Sequence, residues 1–119
     1  MIDIINKVKQ CLSPDLLRKE YLEENKTNPM AGHCYIATEA IFHILGGKEY
    51  YQPYVARDDD NITHWWLIHK ITGDKVDVTQ EQYTSIGLEP PYKKGKKATF
   101  LTSYPSKRAV IVIERYNKL

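Results

Sequence analysis

Residues 33–47 read His33-Cys34-Tyr35-Ile36-Ala37-Thr38-Glu39-Ala40-Ile41-Phe42-His43-Ile44-Leu45-Gly46-Gly47. Ile36, Ala37, Ala40, Ile41, Ile44 and Leu45 recur at intervals of three and four, the period of a helix with a wide buried face. The glycine pair is a stop signal. The spacing therefore predicts a helix over 33–45, the most apolar in the chain and so anchored in its core.

Working outward to the N-terminal side, Ile2, Ile5, Val8 and Leu12 have helical spacing. Ser13-Pro14-Asp15 reads as an N-cap, a first helical residue and an acid suited to the helix dipole, which predicts a second helix over about residues 14–24. Asn25-Lys26-Thr27-Asn28-Pro29 is a loop, and Gly32 marks a close backbone approach. On the C-terminal side the period changes. Residues 50–57 and 62–70 are rich in aromatic and β-branched side chains around the turn Asp58-Asp59-Asp60-Asn61, which predicts an antiparallel pair. A turn at Thr72-Gly73-Asp74, a third strand over 75–78 and a short helix at 79–82 capped by Thr79 follow. The class is α+β, with N-terminal helices packed on a small antiparallel sheet in one domain over residues 1–119. Residues 105–117 carry two readings, since Ala109 to Ile113 suits a strand and Pro105 with its following charges suits a helix start.

The net charge of +2, from 17 basic and 15 acidic side chains spread along the chain, gives no strong field, so neither nucleic acid nor an anionic membrane is an expected partner. No apolar run approaches the roughly 18 residues of a membrane span. An N-terminus without a basic start or apolar run, with two cysteines in unlike contexts, points to a reducing cytoplasm and free thiols.

Three residues carry the chemistry. A nucleophilic thiol must be partly ionised near neutral pH, and a helix N-terminus favours an anion through its free N–H groups. Cys34 has that place, although small apolar cysteines are also common as plain helix packing. A thiolate needs an imidazole from a separate element to hold the ion pair and later to protonate a leaving group. His64, in Thr63-His64-Trp65-Trp66, meets that need, with a core or rim histidine as the alternative. Alternation puts His64, Trp66 and Ile68 on one face of the strand, and Trp65, Leu67 and His69 on the other. The imidazole in turn needs a carboxylate to orient it. Asp77 lies between Val76 and Val78, where an unpaired buried acid would cost several kcal/mol; an outward-facing acid on an edge strand is the other reading.

The run Asn28-Pro29-x-x-Gly32-His33-Cys34, then Gly46-Gly47, His64-Trp65-Trp66, Gly73 and Asp77-Val78-Thr79-x-x-Gln82-Tyr83, resembles the small YunG-type proteins of bacteria and their phages. That family is similar in pattern to papain-like and transglutaminase-like cysteine enzymes. The resemblance implies a papain-like or transglutaminase-like fold, with the cysteine on a helix facing a sheet that supplies histidine and acid. It implies Cys34, His64 and Asp77 as catalytic residues, with Thr79 and Gln82 as local supports of the acid, in the cytoplasm of a bacterium or an infected host. Papain-like enzymes place an amide side chain six residues before the nucleophile, and Asn28 has that spacing, so with the Cys34 N–H it would complete an oxyanion hole; a turn residue before Pro29 is the equal alternative. At His33 the chain departs from the family pattern, which commonly has glutamine; His33 binds substrate, supports Cys34 or does neither. Trp65, Trp66, Tyr92 and the loop 89–97 are expected walls of the site.

One geometric point opposes this reading. A tight two-residue hairpin at Gly73-Asp74 would set Asp77 opposite Lys70, roughly 20 Å along the strand from His64. A wider loop, a bulge or twist must shorten that gap, or Asp77 is not the partner. The expected function is thiolate attack on a carbonyl of a protein or peptide-like substrate, by a peptidase, amidase, deconjugating or acyl-transfer enzyme. The alternative is a binding protein of the same fold that captures a protein partner. No metal or cofactor is expected, because no Cys-x-x-Cys or His-x-x-x-His spacing exists and His64 and His69 face opposite ways.

Overall fold

The structure, a computed structural model, describes residues 1–17 and 33–119. Among these, helix α1 (Ile2–Gln10) and a single 3-10 turn at Pro14–Leu16 precede α2 (Cys34–Ile44). Strands β1 (Tyr51–Arg57), β2 (Thr63–His69) and β3 (Lys75–Val76) come next, followed by the one-turn helix α3 (Glu81–Thr84), strand β4 (Lys96–Lys97) and helix α4 (Lys107–Asn117). The α+β class with a small antiparallel sheet is the architecture found. The second helix expected over 14–24 is described only as far as its first turn, and residues 18–24, with Asn25 to Gly32, lie outside the described residues.

The four strands form one antiparallel sheet in the order β3-β2-β1-β4. Helix α2 is the central element, as its apolar breadth predicts: Ala37, Ala40 and Ile41 are fully buried against Val8 of α1, Leu67 and Val76 of the sheet, and Ala109 and Val112 of α4. It ends where the glycines predict, with Gly46 at φ +103° and so close to the Tyr50 ring that a β-carbon would sit 2.7 Å from it.

The C-terminal segment is helical despite its β-branched Val110, Ile111, Val112 and Ile113. Buried Ala109 and Val112 are three residues apart, and Ser106 caps the helix by accepting the Ala109 N–H at 3.3 Å. A tertiary contact decides the matter. The carboxylate of Glu39, buried on α2, accepts hydrogen bonds from the Ser106 N–H at 3.0 Å and from the Ser106 hydroxyl at 2.7 Å, which places an anion at the positive end of α4. At the other end Arg115 donates to the Cys11 carbonyl, the Ser13 hydroxyl and Asp15, tying α4 to the N-terminal segment.

Two further differences come from pairing that local sequence does not signal. Lys96 and Lys97, expected in a loop, pair with Val55 and Tyr54 as a short edge strand, and lysine at an edge discourages pairing with another chain. The helix expected at 79–82 begins later, at Glu81, with Gln80 at its N-cap and no side-chain capping bond. Strand β3 stops at Val76, so Asp77 leaves the ladder and its carboxylate is free to turn toward β2.

The β2–β3 connection decides where that acid lands. The His69 N–H donates to Asp74 at 2.8 Å and the Gly73 N–H to His69 at 3.0 Å, closing a four-residue loop over 70–73 in place of a tight pair. Leu67 then faces Val76 and Ile68 faces Lys75. Continued by one residue, this register puts Asp77 opposite Trp66, two positions from His64 and on the same face, instead of opposite Lys70.

Candidate active site

His64 is the centre of the site. It is fully buried on the sheet face opposite Leu67, with its ring stacked on Trp66, edge-on to Tyr83 and tilted against Tyr92. Trp66 leaves no room for a side chain at residue 95: a β-carbon on Gly95 would lie 2.6 Å from its ring, so glycine there lets the basic loop close over the aromatic cluster.

Within that cluster His64 Nε2 lies 2.6 Å from Asp77 Oδ2, a short charge-assisted hydrogen bond between two buried groups. Asp77 is itself held. Its Oδ1 accepts the Thr79 N–H at 3.2 Å, and its Oδ2 accepts the Tyr92 hydroxyl at 2.7 Å. Burial would push the His64 ring down, but the hydrogen bond and charge of Asp77, together with the nearby Cys34, outweigh it and hold the pKa up at about 9. The Tyr92 and Tyr83 phenols are pushed above their ordinary range, first by burial and then by the carboxylates that they serve, Asp77 and Asp58. Both therefore stay protonated and act as donors.

The thiol approaches from the rim of the sheet. Cys34 opens α2, and its Sγ is 3.3 Å from the Thr63 carbonyl oxygen, at the residue beside His64 on β2. Thr38, one turn further along α2, donates to the Trp65 carbonyl at 3.2 Å and helps to hold the helix end against that strand. With Asp77 on Nε2, the His64 Nδ1 is buried and has no hydrogen-bond partner among the described residues. Cys34 is 8% exposed and lines a cleft of about 400 Å³ with Tyr35, Thr63, Trp65 and Ser106 among its walls.

The structure thus joins His64 to Asp77, sets the Cys34 thiol against Thr63 beside His64, and separates the tryptophans. Trp65 packs edge-on to Tyr35, stacks on Phe100 and lines the cleft. Trp66 lies on the other face, buried beneath His64 and away from the cleft. His33 is 1% exposed; burial, only partly opposed by the charge of Asp15, pushes its imidazole down to about 4, so it is neutral. Asn28 lies outside the described residues. Among the described residues no group of three histidine, cysteine or acidic side chains is placed to hold a metal ion, and no helix is long and apolar enough to cross a membrane.

Sequence reasoning missed the role of Tyr92, which stands 15 residues beyond the acid it serves and was legible only as a wall. It also missed Tyr83, whose hydroxyl reaches back to Asp58 in the β1–β2 turn while its ring covers His64. A cluster of tyrosines around one acid strand was the available signal.

Compared with known proteins, the chain matches the family model described as YunG protein over residues 2–118. No curated protein and no solved structure matches it.

Proposed function

This chain belongs to the YunG family, and on that premise we propose that it is a cysteine-dependent hydrolase or acyl-transfer enzyme. Its catalytic groups are Cys34, His64 and Asp77, on a reduced papain-like or transglutaminase-like arrangement. The observation that carries the reading is the buried His64 ring, bonded at 2.6 Å to Asp77 while its other nitrogen has no partner among the described residues, with Cys34 nearby at the edge of a cleft. A buried imidazole costs stability unless its charge has a use or a partner, and here its pKa of about 9 keeps it protonated at neutral pH.

In the proposed cycle the Cys34 proton resides on His64. The thiolate attacks a carbonyl carbon, a C–S bond forms and the carbonyl π electrons move onto oxygen. The N–H groups in the first turn of α2 precede its first intrahelical bond, from the Ala37 N–H to the His33 carbonyl, and are the proposed donors to that oxyanion. Asn28 is the proposed second donor, by its spacing. When the bond to the amine or alcohol breaks, His64 gives it the proton. Water or an acceptor nucleophile then loses a proton to His64 and attacks the thioester, which releases the acyl group and restores the thiol. His33, neutral and sealed, suits support of the α2 start better than contact with substrate. Trp65 serves as a wall of the cleft and Trp66 as the floor beneath the imidazole.

A second reading has its own support. Cys34 is nearly sealed, and its thiol has the Thr63 carbonyl as acceptor, which suits an idle thiol in a module that binds a protein partner on the same surface. Capturing material from a host lysate with Cys34→Ala, then incubating it with wild type and with Asp77→Asn, separates the two. The enzyme reading expects wild type to change the mass of a captured partner, and Asp77→Asn to do so orders of magnitude more slowly. If wild type leaves the partner's mass unchanged under reducing conditions, the binding reading replaces it.

A further inference from the structure

The first turn of α4 breaks an electrostatic rule. Cations are disfavoured at the positive end of a helix, yet α4 opens with Lys107 and Arg108 and has no acid in its first turn. Neither side chain has a carboxylate partner among the described residues, a state shared by several other lysines, but these two cations lie together beside the same cleft. Glu39, the nearby buried acid on α2, is engaged by Ser106. Both cations line the cleft that holds Cys34, and no acidic side chain among the described residues lines it. Local rules are broken most often where function requires it. Lysines of the 93–97 loop do not share this place: Lys93 and Lys94 line a separate hollow beyond Tyr92, and Lys94 is paired with Asp59.

We propose that Lys107 and Arg108 form an anion subsite, so that the substrate carries a carboxylate close to the carbonyl presented to Cys34. The uncharged part of the substrate has a matching surface. Tyr35, Leu101, Ser106 and Lys107 line both this cleft and a neighbouring trough of about 490 Å³, where Leu101 is 90% and Tyr104 69% exposed. The substrate class is thus an acidic acyl compound or peptide with an apolar flank, an acidic residue or a free C-terminal carboxylate supplying the charge. This inference rests on the proposed role of Cys34 for its chemistry, but the binding subsite stands on the cleft alone.

The test compares two alkylating reagents of nearly equal size, anionic iodoacetate and neutral iodoacetamide, on Cys34 in the full chain. Iodoacetate should gain on iodoacetamide at low salt relative to their ratio on a free thiol, and the gain should shrink as salt rises. In Lys107→Gln/Arg108→Gln the iodoacetate rate should fall by about tenfold with the iodoacetamide rate little changed. The double variant should melt no lower than the parent, since it removes two cations from a positive helix end. A second arm does not depend on thiol reactivity. In Cys34→Ala, the Trp65 indole N–H signal should shift on titration with N-acetylphenylalanine and much less with its amide, and that preference should vanish in the double variant. An unchanged reagent ratio together with equal responses to acid and amide overturns the subsite. A Cys34 inert to both reagents, with the acid still preferred in the second arm, overturns the catalytic reading and leaves the subsite standing.

Discussion

Replacing Asp77 by Asn keeps the shape of the side chain and removes its charge, which makes it the sharpest probe of the buried pair. In the wild type the rise of the His64 pKa from 6.5 to about 9 corresponds to roughly 3 kcal/mol of preference for the charged ring. The group is protonated in both the folded and unfolded chains below about pH 6.5, so this stability is fully present there. It is lost as pH rises from about 6.5 through 9, where the folded state alone still holds the proton and then releases it. In Asp77→Asn the hydrogen bond to a charged acceptor and the carboxylate charge are both gone, and burial, opposed then only by the nearby Cys34, lowers the ring's pKa from about 9. The variant should lose up to about 3 kcal/mol at pH 6, lose far less at pH 10, and show a flatter stability profile between than the wild type. Urea unfolding at a series of pH values, with the His64 ring proton followed by NMR in the same buffers, measures both quantities. A wild-type His64 that titrates near 6.5, or an Asp77→Asn variant whose loss is the same at pH 6 and pH 10, would refute the buried charged pair.

Three other outcomes follow from the same structure. Cys34 should be alkylated by iodoacetamide faster than Cys11 near pH 7, as labelled-peptide mass spectrometry would show, because burial raises the Cys11 thiol against the weaker opposing pull of Arg115 and its proton is donated to the Lys7 carbonyl. Equal rates would count against an activated Cys34. Gly95→Ala should lower stability by about 1–3 kcal/mol in thermal unfolding and perturb the near-ultraviolet tryptophan signal, since its methyl would meet Trp66 at 2.6 Å and the Tyr92 carbonyl oxygen at 3.0 Å; a neutral change would show that the loop is not pressed on the ring. Ser106→Ala should cost about 1–2 kcal/mol, and Ser106→Asp, ordinarily a good cap, should be worse because its carboxylate would face Glu39; a stabilising Ser106→Asp would disprove that contact.

Period and punctuation were enough to read most of the elements. The helix over 33–45, the pair of strands either side of 58–61 and the first helix all have their apolar residues at the spacing of the element they form, so local burial and local preference agree. The C-terminal helix was undecided because four β-branched residues in a row favour a strand locally, while the cap and the buried face depend on Glu39, 67 residues away. The edge strand Lys96–Lys97 was invisible because two lysines carry no strand signal, and their pairing is set by β1.

For the site, sequence by itself determined which side chains have chemistry to offer: a cysteine opening the most apolar helix, a histidine on an aromatic strand and an acid between two valines. Alternation along each strand is a local property, but whether Asp77 meets the His64 face depends on the register between the strands. The contact of these two side chains was decided only by the tertiary structure. A four-residue connection at 70–73 shifts the β3 register, and β3 ends before Asp77, so a carboxylate that a tight turn would have left far along the strand closes to 2.6 Å. Turn length depends on which backbone groups find partners, and those partners, His69 with Gly73 and Asp74, are chosen when Val76 buries itself opposite Leu67 in the core. The same holds for Tyr92 and for the cations of α4, whose neighbours come from distant parts of the chain and are set by packing rather than by any local pattern.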